Sequence, residues 1–324
     1  MPFNKITMTK FYTSVMEPVI SVIICTHNPR RDYLDKVLKA LQLQTLPMEQ
    51  WELLMIDNAS NKLLSSEIDL SWHPIARHIR EEQLGLTPAR MRGIQEAKAE
   101  TLLFVDDDNV LDWDYLKVAL QISEAWPTLG AWGGQSIPDF EESPPDWTKH
   151  YWGMLGIREV EQDKWSNLVH QHETTPYGAG MCVRKIVAER YASLVSNDMK
   201  RLSLDRKGKL LTSCGDSDLA FTACDIGLGT GLFVALKLTH LMPKNRLQEE
   251  YLLRLREGLS YSDTMLYFAR GNMQTLPSLS WRSKLREYYE LLRRNARDRR
   301  FYMASKRGET LAIKEISALG ECEA

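Results

Sequence analysis

Short apolar segments alternate with amphipathic ones along the first third of the chain. Residues 19–25 (VISVIIC), 51–56 and 101–105 (TLLFV) are almost wholly apolar. Segments of this length are typical of strands buried on both faces of a parallel sheet. Within residues 34–41, leucine and valine recur at i, i+3, i+4 and i+7. This spacing predicts a helix with one apolar face.

The stretch between the last two of these strands predicts one more strand and one more helix. A weaker strand is expected at residues 75–79, and Thr87 and Pro88 are expected to be the N-cap and first residue of a helix that ends near Lys98. The alternation predicts an α/β fold with a mostly parallel, Rossmann-like sheet flanked by helices and right-handed crossovers.

Polar clusters follow three of the predicted strands directly. They are residues 26–28 (THN), 57–58 (DN) and 106–109 (DDDN). Ligands of open α/β sheets bind at the carboxyl ends of the strands. The three clusters are therefore expected to meet in one site.

The later part of the chain changes character twice. Residues 126–165 contain five tryptophans without a sustained period, which predicts strands and long loops. A strand and helix are expected near residues 177–194, a helix at 216–227 and a strand at 232–238, and the pattern is helical beyond residue 240. We therefore divide the chain into an N-terminal tail (1–15), an α/β domain (16–243) and a helical C-terminal extension (244–324).

Composition and charge exclude several classes of protein. The chain has 41 basic and 43 acidic residues, a formal charge of −2, so a protein that neutralises nucleic-acid backbones is not expected. The five cysteines are scattered without a CxxC pair, which indicates a reducing, cytoplasmic compartment. The apolar run at 19–25 is far shorter than the roughly 20 residues that span a bilayer.

The acidic triplet Asp106, Asp107 and Asp108 carries the sharpest chemical signal. Adjacent carboxylates after a buried strand repel one another, and a cation would offset that cost. Mg²⁺ or Mn²⁺ commonly binds one or two carboxylates together with phosphate oxygens. The alternative is a solvated acidic loop that caps the next helix, and the residues alone leave both interpretations open.

Five motifs in order carry a resemblance to a known family. They are SVIICTHN, LLMIDNAS, LTPARMRGI, LLFVDDDN and CGDSDL, and they extend over residues 18–243. Each motif is weak alone, but the ordered series resembles the inverting family 2 glycosyltransferases with the GT-A fold. The resemblance implies transfer of a sugar from a nucleotide diphosphate sugar to a hydroxyl acceptor, a glycan of a growing polysaccharide or a lipid-linked saccharide, by metal-assisted direct displacement.

The resemblance also implies roles for individual residues. The donor nucleotide would be bound by Thr26, Asp57, Asn58, Arg90, Asp106 and Asp107, and Mn²⁺ or Mg²⁺ by Asp108 with His240. Asp106 and Asp107 would face the ribose or support the loop, and His240 would complete the metal shell or contact the diphosphate. Two positions depart from the family pattern here, because Asn58 replaces a second Asp and Met91 replaces an Asn.

Asp216 corresponds to the catalytic base of the family segment G-E-D-x-D-L, in which the Glu has become Gly215. An inverting transfer needs a carboxylate that takes the proton of the acceptor hydroxyl. The alternative is that Asp216 and Asp218 are first-turn carboxylates favoured by the helix dipole, without a chemical role.

Two other functions are compatible with these motifs. A nucleotidyltransferase could use a similar sheet and metal, although it would more often have a basic glycine-rich loop where residues 26–29 (THNP) lie. A non-catalytic scaffold that binds nucleotide sugars is the second, because of Gly215 and Met91. Within the family interpretation, the tryptophan-rich middle is expected to be either core or a pliable lid over a sugar.

The C-terminal extension contains a basic segment at residues 281–307. Ten Lys and Arg against three Asp and Glu give it a local charge of +7. Leucines and tyrosines at helical spacing predict an amphipathic helix. Its basic face could rest on the anionic inner face of a membrane, as a peripheral contact, or its apolar face could pack on the catalytic domain with the arginines solvated.

Overall fold

The computed structural model describes residues 17–169, 171–202, 204–206, 211–271, 285, 289, 291 and 293–322. The predicted N-terminal tail, residues 1–15, lies outside the described residues. So do residues 281–284, 286–288, 290 and 292 of the basic segment.

A single mixed sheet forms the centre of the molecule. Its strands are β1 (Ile20–Thr26), β2 (Trp51–Asn58), β3 (Ala76–Glu81), β4 (Thr101–Val105), β5 (Asn109–Leu111), β6 (Leu129–Phe140), β7 (Lys164–Ser166), β8 (Met181–Arg184) and β9 (Gly229–Met242). Their order is β3-β2-β1-β4-β8-β6-β9-β5, and β7 pairs with β9.

The N-terminal half of the sheet is parallel, as expected from the apolar runs. β1 lies between β2 and β4. The register pairs Thr26 with Asp57 and Ile24 with Val105, so β1 and β2 end at one level and the acidic turn after β4 lies beside the end of β1. The sheet as a whole is mixed rather than mostly parallel, because β8 runs antiparallel to both β4 and β6, and β5 and β7 run antiparallel to β9.

Helices cover both faces of this sheet. They are α1 (Arg31–Gln42), α2 (Leu86–Glu96), α3 (Tyr115–Ala125), α4 (Lys185–Asn197), α5 (Met199–Leu202), α6 (Gly215–Asp225), α7 (Glu249–Ala269) and α8 (Ala296–Cys322). α1 and α3 pack on one face, and α2, α4 and α6 pack on the other. The α/β fold class with flanking helices is confirmed.

The predicted start of α2 is wrong by two residues. Gly85, at φ 145°, is the N-cap, and Thr87 is the second residue of the helix. A φ in this range strains any residue with a side chain, so glycine suits the sharp entry into the helix. Thr87 has the residue type of a cap, but it lies inside the helix, where its hydroxyl donates to Asp205 instead of accepting from a backbone amide of the first turn.

The tryptophan-rich middle contains both core and surface. Trp132 of β6 is fully buried, whereas Trp165 of β7 is 53% exposed. Between them, a 3-10 helix at Asp146–Leu155 packs Trp147 and Trp152 against the cluster formed with α7 and α8.

The C-terminal extension is built on α7 and α8, which lie side by side in the same direction. A Cβ on Gly308 would lie 2.1 Å from the Glu257 carbonyl oxygen, so glycine permits this close approach. Arg300 and Arg307 of α8 pair with Glu249 and Glu257 of α7. The part of the basic segment that lies in α8, residues 296–307, therefore packs on α7. No described helix combines the length and apolar character needed to cross a membrane.

Candidate active site

A cavity of about 490 Å³ opens where the carboxyl ends of β1, β2 and β4 face the N-terminus of α6. Polar residues from both sides line it, and α7 forms part of its wall. The lining residues that matter below are Thr26, Asn58, Arg90, Asp106, Asp107, Asp108, Gly178, Asp205, Asp216, His240, Arg246 and Asp263. All the residues predicted for the site except Asp57 therefore line one cavity.

The turn after β4 gathers carboxylates beside the end of β1. The Thr26 hydroxyl donates a hydrogen bond to the Asp107 carboxylate. Burial, together with the Asp108 charge, raises the pKa of Asp107 to about 7. The pKa of Asp106 is raised for the same two reasons. A cation bound at this turn would therefore lower the cost of keeping these carboxylates ionised.

Asp57 is a structural residue of the loop after β2. One carboxylate oxygen accepts from the Ser60 amide at 3.1 Å, and the other accepts from the Leu64 amide at 3.1 Å and from Arg80 at 2.9 Å. Burial alone would raise the pKa of Asp57, but these donors hold it below its ordinary value. Its expected contact with a nucleotide base stays a prediction.

The hydrogen bonds of Asn58 explain why an Asn stands here in place of the second Asp of the family pattern. Its Nδ2 donates to the Gln83 carbonyl at 2.8 Å, and its Oδ1 accepts from the Gly85 amide at 2.8 Å. An ionised carboxylate can only accept, so an Asp here could not make the first of these bonds. The amide fixes the loop that leads into α2, which forms one wall of the cavity.

Asp108 and His240 lie together because β5 pairs with β9. The register sets Asn109 opposite His240, and Asp108 Oδ2 is 3.4 Å from His240 Nε2. The Arg246 guanidinium contacts both groups, at 2.9 Å from Asp108 Oδ2 and 3.2 Å from His240 Nε2. Burial opposes ionisation of Asp108, but His240 and Arg246 outweigh it and hold its pKa below the ordinary value.

These groups fit a divalent cation as a set of two protein ligands. His240 Nδ1 is buried without a hydrogen-bond partner among the described residues. His240 Nε2 and Asp108 Oδ2 both contact the Arg246 guanidinium, so a cation in its place would meet both atoms, with His240 neutral and its proton on Nδ1. No cluster of three or more candidate ligands occurs in the described part of the chain, so the remaining ligands would come from phosphate and water.

Arg90 is buried in the cavity wall and paired. Only 4% of Arg90 is exposed, and its Nη1 donates to Asp205 Oδ2 at 2.9 Å. Burial raises the pKa of Asp205 above its ordinary value, against the pull of Arg90. A donor phosphate would therefore compete with Asp205 for this guanidinium.

Asp216 lies in the first turn of α6. Its Oδ2 accepts from the Gly178 amide at 2.8 Å, and its Oδ1 accepts from the Ser217 amide at 2.8 Å. Cys214, the N-cap of α6, has φ 138°, an uncommon value for a residue with a side chain, and its thiol donates to Asp263 of α7 at 3.2 Å. Segments that are distant in sequence thus fix the orientation of the Asp216 side chain in the cavity.

Asp218 differs from Asp216 although both are in the first turn. It is fully buried and accepts from Arg201 at 2.5 Å and from Arg270 at 2.7 Å. Arg270 also pairs with Asp225 at 2.5 Å. Asp218 therefore fastens α6 to α5 and to the end of α7, and only Asp216 faces the cavity.

With this geometry in place, a family model described as glycosyl transferase family 2 matches residues 21–186, just over half of the chain. The chain belongs to glycosyl transferase family 2. The matched region contains the strand ends with Thr26, Asn58 and the acidic triplet, whereas Asp216 and His240 lie beyond it. The resemblance of the motifs to family 2 glycosyltransferases is confirmed.

Two curated relatives come from Haloferax volcanii. Glycosyltransferase AglE is 32% identical over 94 residues, which are 28% of this chain and 31% of that protein. Glucosyl-dolichyl phosphate glucuronosyltransferase is 22% identical over 145 residues, 43% of this chain and 45% of that protein. The chain thus matches less than half of the length of either family relative.

Two solved structures are similar at low sequence identity. Crystal structures of S. aureus TarS 1–349 and of GalNAc-T7 with UDP, GalNAc and Mn²⁺ give TM-scores of 0.46 and 0.49 at 16% and 17% identity. The similarity covers 88% of this chain and 80% of the TarS chain, and 85% of this chain and 55% of the GalNAc-T7 chain.

Sequence reasoning missed three parts of this family 2 site. Asp205 gave no signal, because a single Asp in an aperiodic polar stretch is ordinary. Arg246 belongs to the basic stretch at 243–246 that follows His240, so its position could have been suspected. The contribution of α7, through Asp263, depends on tertiary packing and has no local signature.

Proposed function

We propose that the protein transfers a sugar from a nucleotide diphosphate sugar to an acceptor hydroxyl with inversion of configuration. One observation carries the proposal: Asp216 faces the same cavity as the acidic turn Asp106–Asp108. A carboxylate that can accept a proton thus lines the same cavity as a turn that suits a diphosphate and its cation. Membership of glycosyl transferase family 2 supports this chemistry.

The donor would lie against the ends of β1 and β4. The Thr26 hydroxyl and the carboxylates of Asp106 and Asp107 line that wall and can form hydrogen bonds with a ribose or base. Arg90 offers a planar guanidinium to phosphate oxygens, although it is held by Asp205.

Asp108 and His240 would hold Mn²⁺ or Mg²⁺, an assignment that their shared position supports. When bound, the cation neutralises the negative charge that develops on the departing diphosphate. Arg246 now makes both contacts, so it must withdraw from Asp108 and His240 before the cation binds.

Asp216 would act as the general base. The acceptor hydroxyl gives its proton to the Asp216 carboxylate while its oxygen forms a bond to the anomeric carbon. The bond from that carbon to the diphosphate oxygen breaks on the opposite face, and its electron pair leaves with the nucleoside diphosphate. The amides of Gly178 and Ser217 orient the carboxylate for this step.

For the acceptor we propose a glycan or a lipid-linked saccharide. One relative is named as acting with a glucosyl-dolichyl phosphate, which supports the lipid-linked alternative. A nucleotidyltransferase is disfavoured by the family, and a non-catalytic scaffold would not require a carboxylate opposite the acidic turn.

A thermal-shift panel of nucleotides and nucleotide sugars tests the proposal. A ligand at 100 times its Kd adds about 2.7 kcal/mol to stability, so the cognate donor should stand out. We expect the largest shift from one nucleotide sugar in the presence of Mn²⁺, and a smaller shift without the metal. No shift with any nucleotide under either condition contradicts the proposal.

A further inference from the structure

Position 215 is a glycine because of a residue outside its own segment, Asp205. A Cβ built on Gly215 would be 2.1 Å from Asp205 Oδ2 and 2.5 Å from Asp205 Cγ. Real Cβ atoms do not approach other atoms so closely. Asp205 therefore occupies the space that a side chain at position 215 would fill.

Asp205 makes contacts with both walls of the cavity. Its Oδ1 accepts from the Gly215 amide at 3.0 Å, at the first turn of α6. Its Oδ2 accepts from the Thr87 hydroxyl at 3.1 Å and from Arg90 at 2.9 Å, both on α2. Only 4% of Asp205 is exposed. The carboxylate thus joins α2 to the start of α6 from within the protein.

Two routes lead from Asp205 to Asp216. The first is the backbone, because Gly215 directly precedes Asp216. The second passes through Arg90, whose Nη2 lies 2.4 Å from where a Cβ on Gly178 would be. The Gly178 amide in turn donates to Asp216 Oδ2 at 2.8 Å. A change at Asp205 would therefore reach the Asp216 carboxylate from two sides.

We propose that Asp205 is the positioning residue for Asp216 and supplies, from the segment before α6, the carboxylate that the resembled family segment carries at position 215. The inference rests on the proposed function, because it takes Asp216 as the base. It also explains why Glu is replaced by Gly at 215: the two carboxylates would compete for one space.

The same distances indicate that a carboxylate at position 215 could replace the carboxylate of Asp205. Asp205 Oδ2 lies 2.1 Å from a Cβ at position 215 and 2.9 Å from Arg90 Nη1. A Glu side chain that starts at 215 therefore reaches the same guanidinium once the Asp205 carboxylate is removed. The proposal therefore predicts that Gly215→Glu compensates for the loss of the carboxylate in Asp205→Ala.

The test compares Asp205→Ala, Gly215→Glu and the double variant with the wild type. Transfer kinetics with the donor found in the thermal-shift panel and unfolding in denaturant are both measured. We expect each single variant to lower kcat at least tenfold. The KM for donor should not rise in Asp205→Ala, because the change frees Arg90 for the donor phosphate. The double variant should recover to within a few-fold of wild type, in both kcat and stability. Glu189→Ala removes an exposed carboxylate on α4 and should leave both unchanged.

A double variant that is at least as impaired as the worse single variant overturns the proposal. If a single variant does not fold, Asp205→Asn keeps the shape and removes the charge, and an unchanged kcat in that variant overturns it as well. Failure of the proposed function is distinguishable, because Asp216→Asn would then leave turnover unaffected. The recovery of stability in the double variant reports on Asp205 independently of catalysis.

Discussion

The two sides of the cavity are built in different ways. On the strand side, Thr26, Asn58 and the acidic triplet each follow or end a strand, and the register of β1 with β2 and β4 fixes their level. On the helix side, Asp216 depends on contacts from Asp205, Gly178 and the segment around Asp263. The strand side is set by the local sequence, and the helix side by distant residues.

Charge is also handled differently on the two sides. On the strand side Arg246 pairs with Asp108, but the pKa values of Asp106 and Asp107 are raised, so the acidic turn still favours an external cation. On the helix side, buried arginines neutralise the carboxylates: Arg90 pairs with Asp205, and Arg201 and Arg270 pair with Asp218. We infer that cation binding belongs to the strand side and the alignment of Asp216 to the helix side.

Asp216→Asn should break catalysis without breaking binding. We expect turnover to fall by on the order of 10²- to 10⁴-fold, the usual contribution of a positioned general base. The affinity for the nucleoside diphosphate, measured by calorimetry, should change little, because the donor lies on the other side. Turnover within a few-fold of wild type would remove Asp216 from the mechanism.

Asp218→Asn should weaken the fold itself. The change leaves Arg201 and Arg270 without the buried charge that they share, and loss of one partner of a buried pair costs about 3–5 kcal/mol. Denaturant unfolding measures this loss. Asp225→Asn is the matched control, because it pairs with the same Arg270 but is 34% exposed, and it should cost less than about 1 kcal/mol. Equal losses would show that the network does not depend on burial.

Asp108→Asn should weaken metal-dependent binding on the strand side and leave the helix side unaffected. An amide keeps the shape but removes the charge that a divalent ion requires. We expect the Mn²⁺-dependent affinity for the nucleoside diphosphate to fall about tenfold or more, equivalent to roughly 1.4 kcal/mol. Calorimetric titration checks it, with Asp139→Asn, an exposed carboxylate on β6, as the control. Unchanged affinity and metal dependence would contradict the assignment.

The sequence predicted the strand side better than the helix side for a physical reason. An apolar run and the polar residues after it are contiguous, so residues 19–28 and residues 101–109 could each be assigned together. The start of α2 was misplaced because the Thr87 hydroxyl bonds to Asp205, 118 residues away. Asp205 and Gly215 meet only after folding, so no pattern in either segment could indicate that one explains the other.

Arg246→Met should give the smallest effect and sharpen the metal assignment. Removal of the guanidinium frees Asp108 and His240 from a competing cation, so the affinity for Mn²⁺ without nucleotide should rise by a few-fold. Titration followed by electron paramagnetic resonance measures free Mn²⁺. Lys244→Met, which removes an exposed cation paired with Glu142, is the control. Weaker binding in Arg246→Met would mean that the guanidinium does not compete.

The stereochemistry of the product tests the central claim most directly. Direct displacement with Asp216 as base, opposite the diphosphate site, inverts the anomeric carbon. Nuclear magnetic resonance of the product formed from a donor of known configuration gives the new linkage through its anomeric coupling. We predict the configuration opposite to that of the donor. A product that retains the donor configuration would contradict the account.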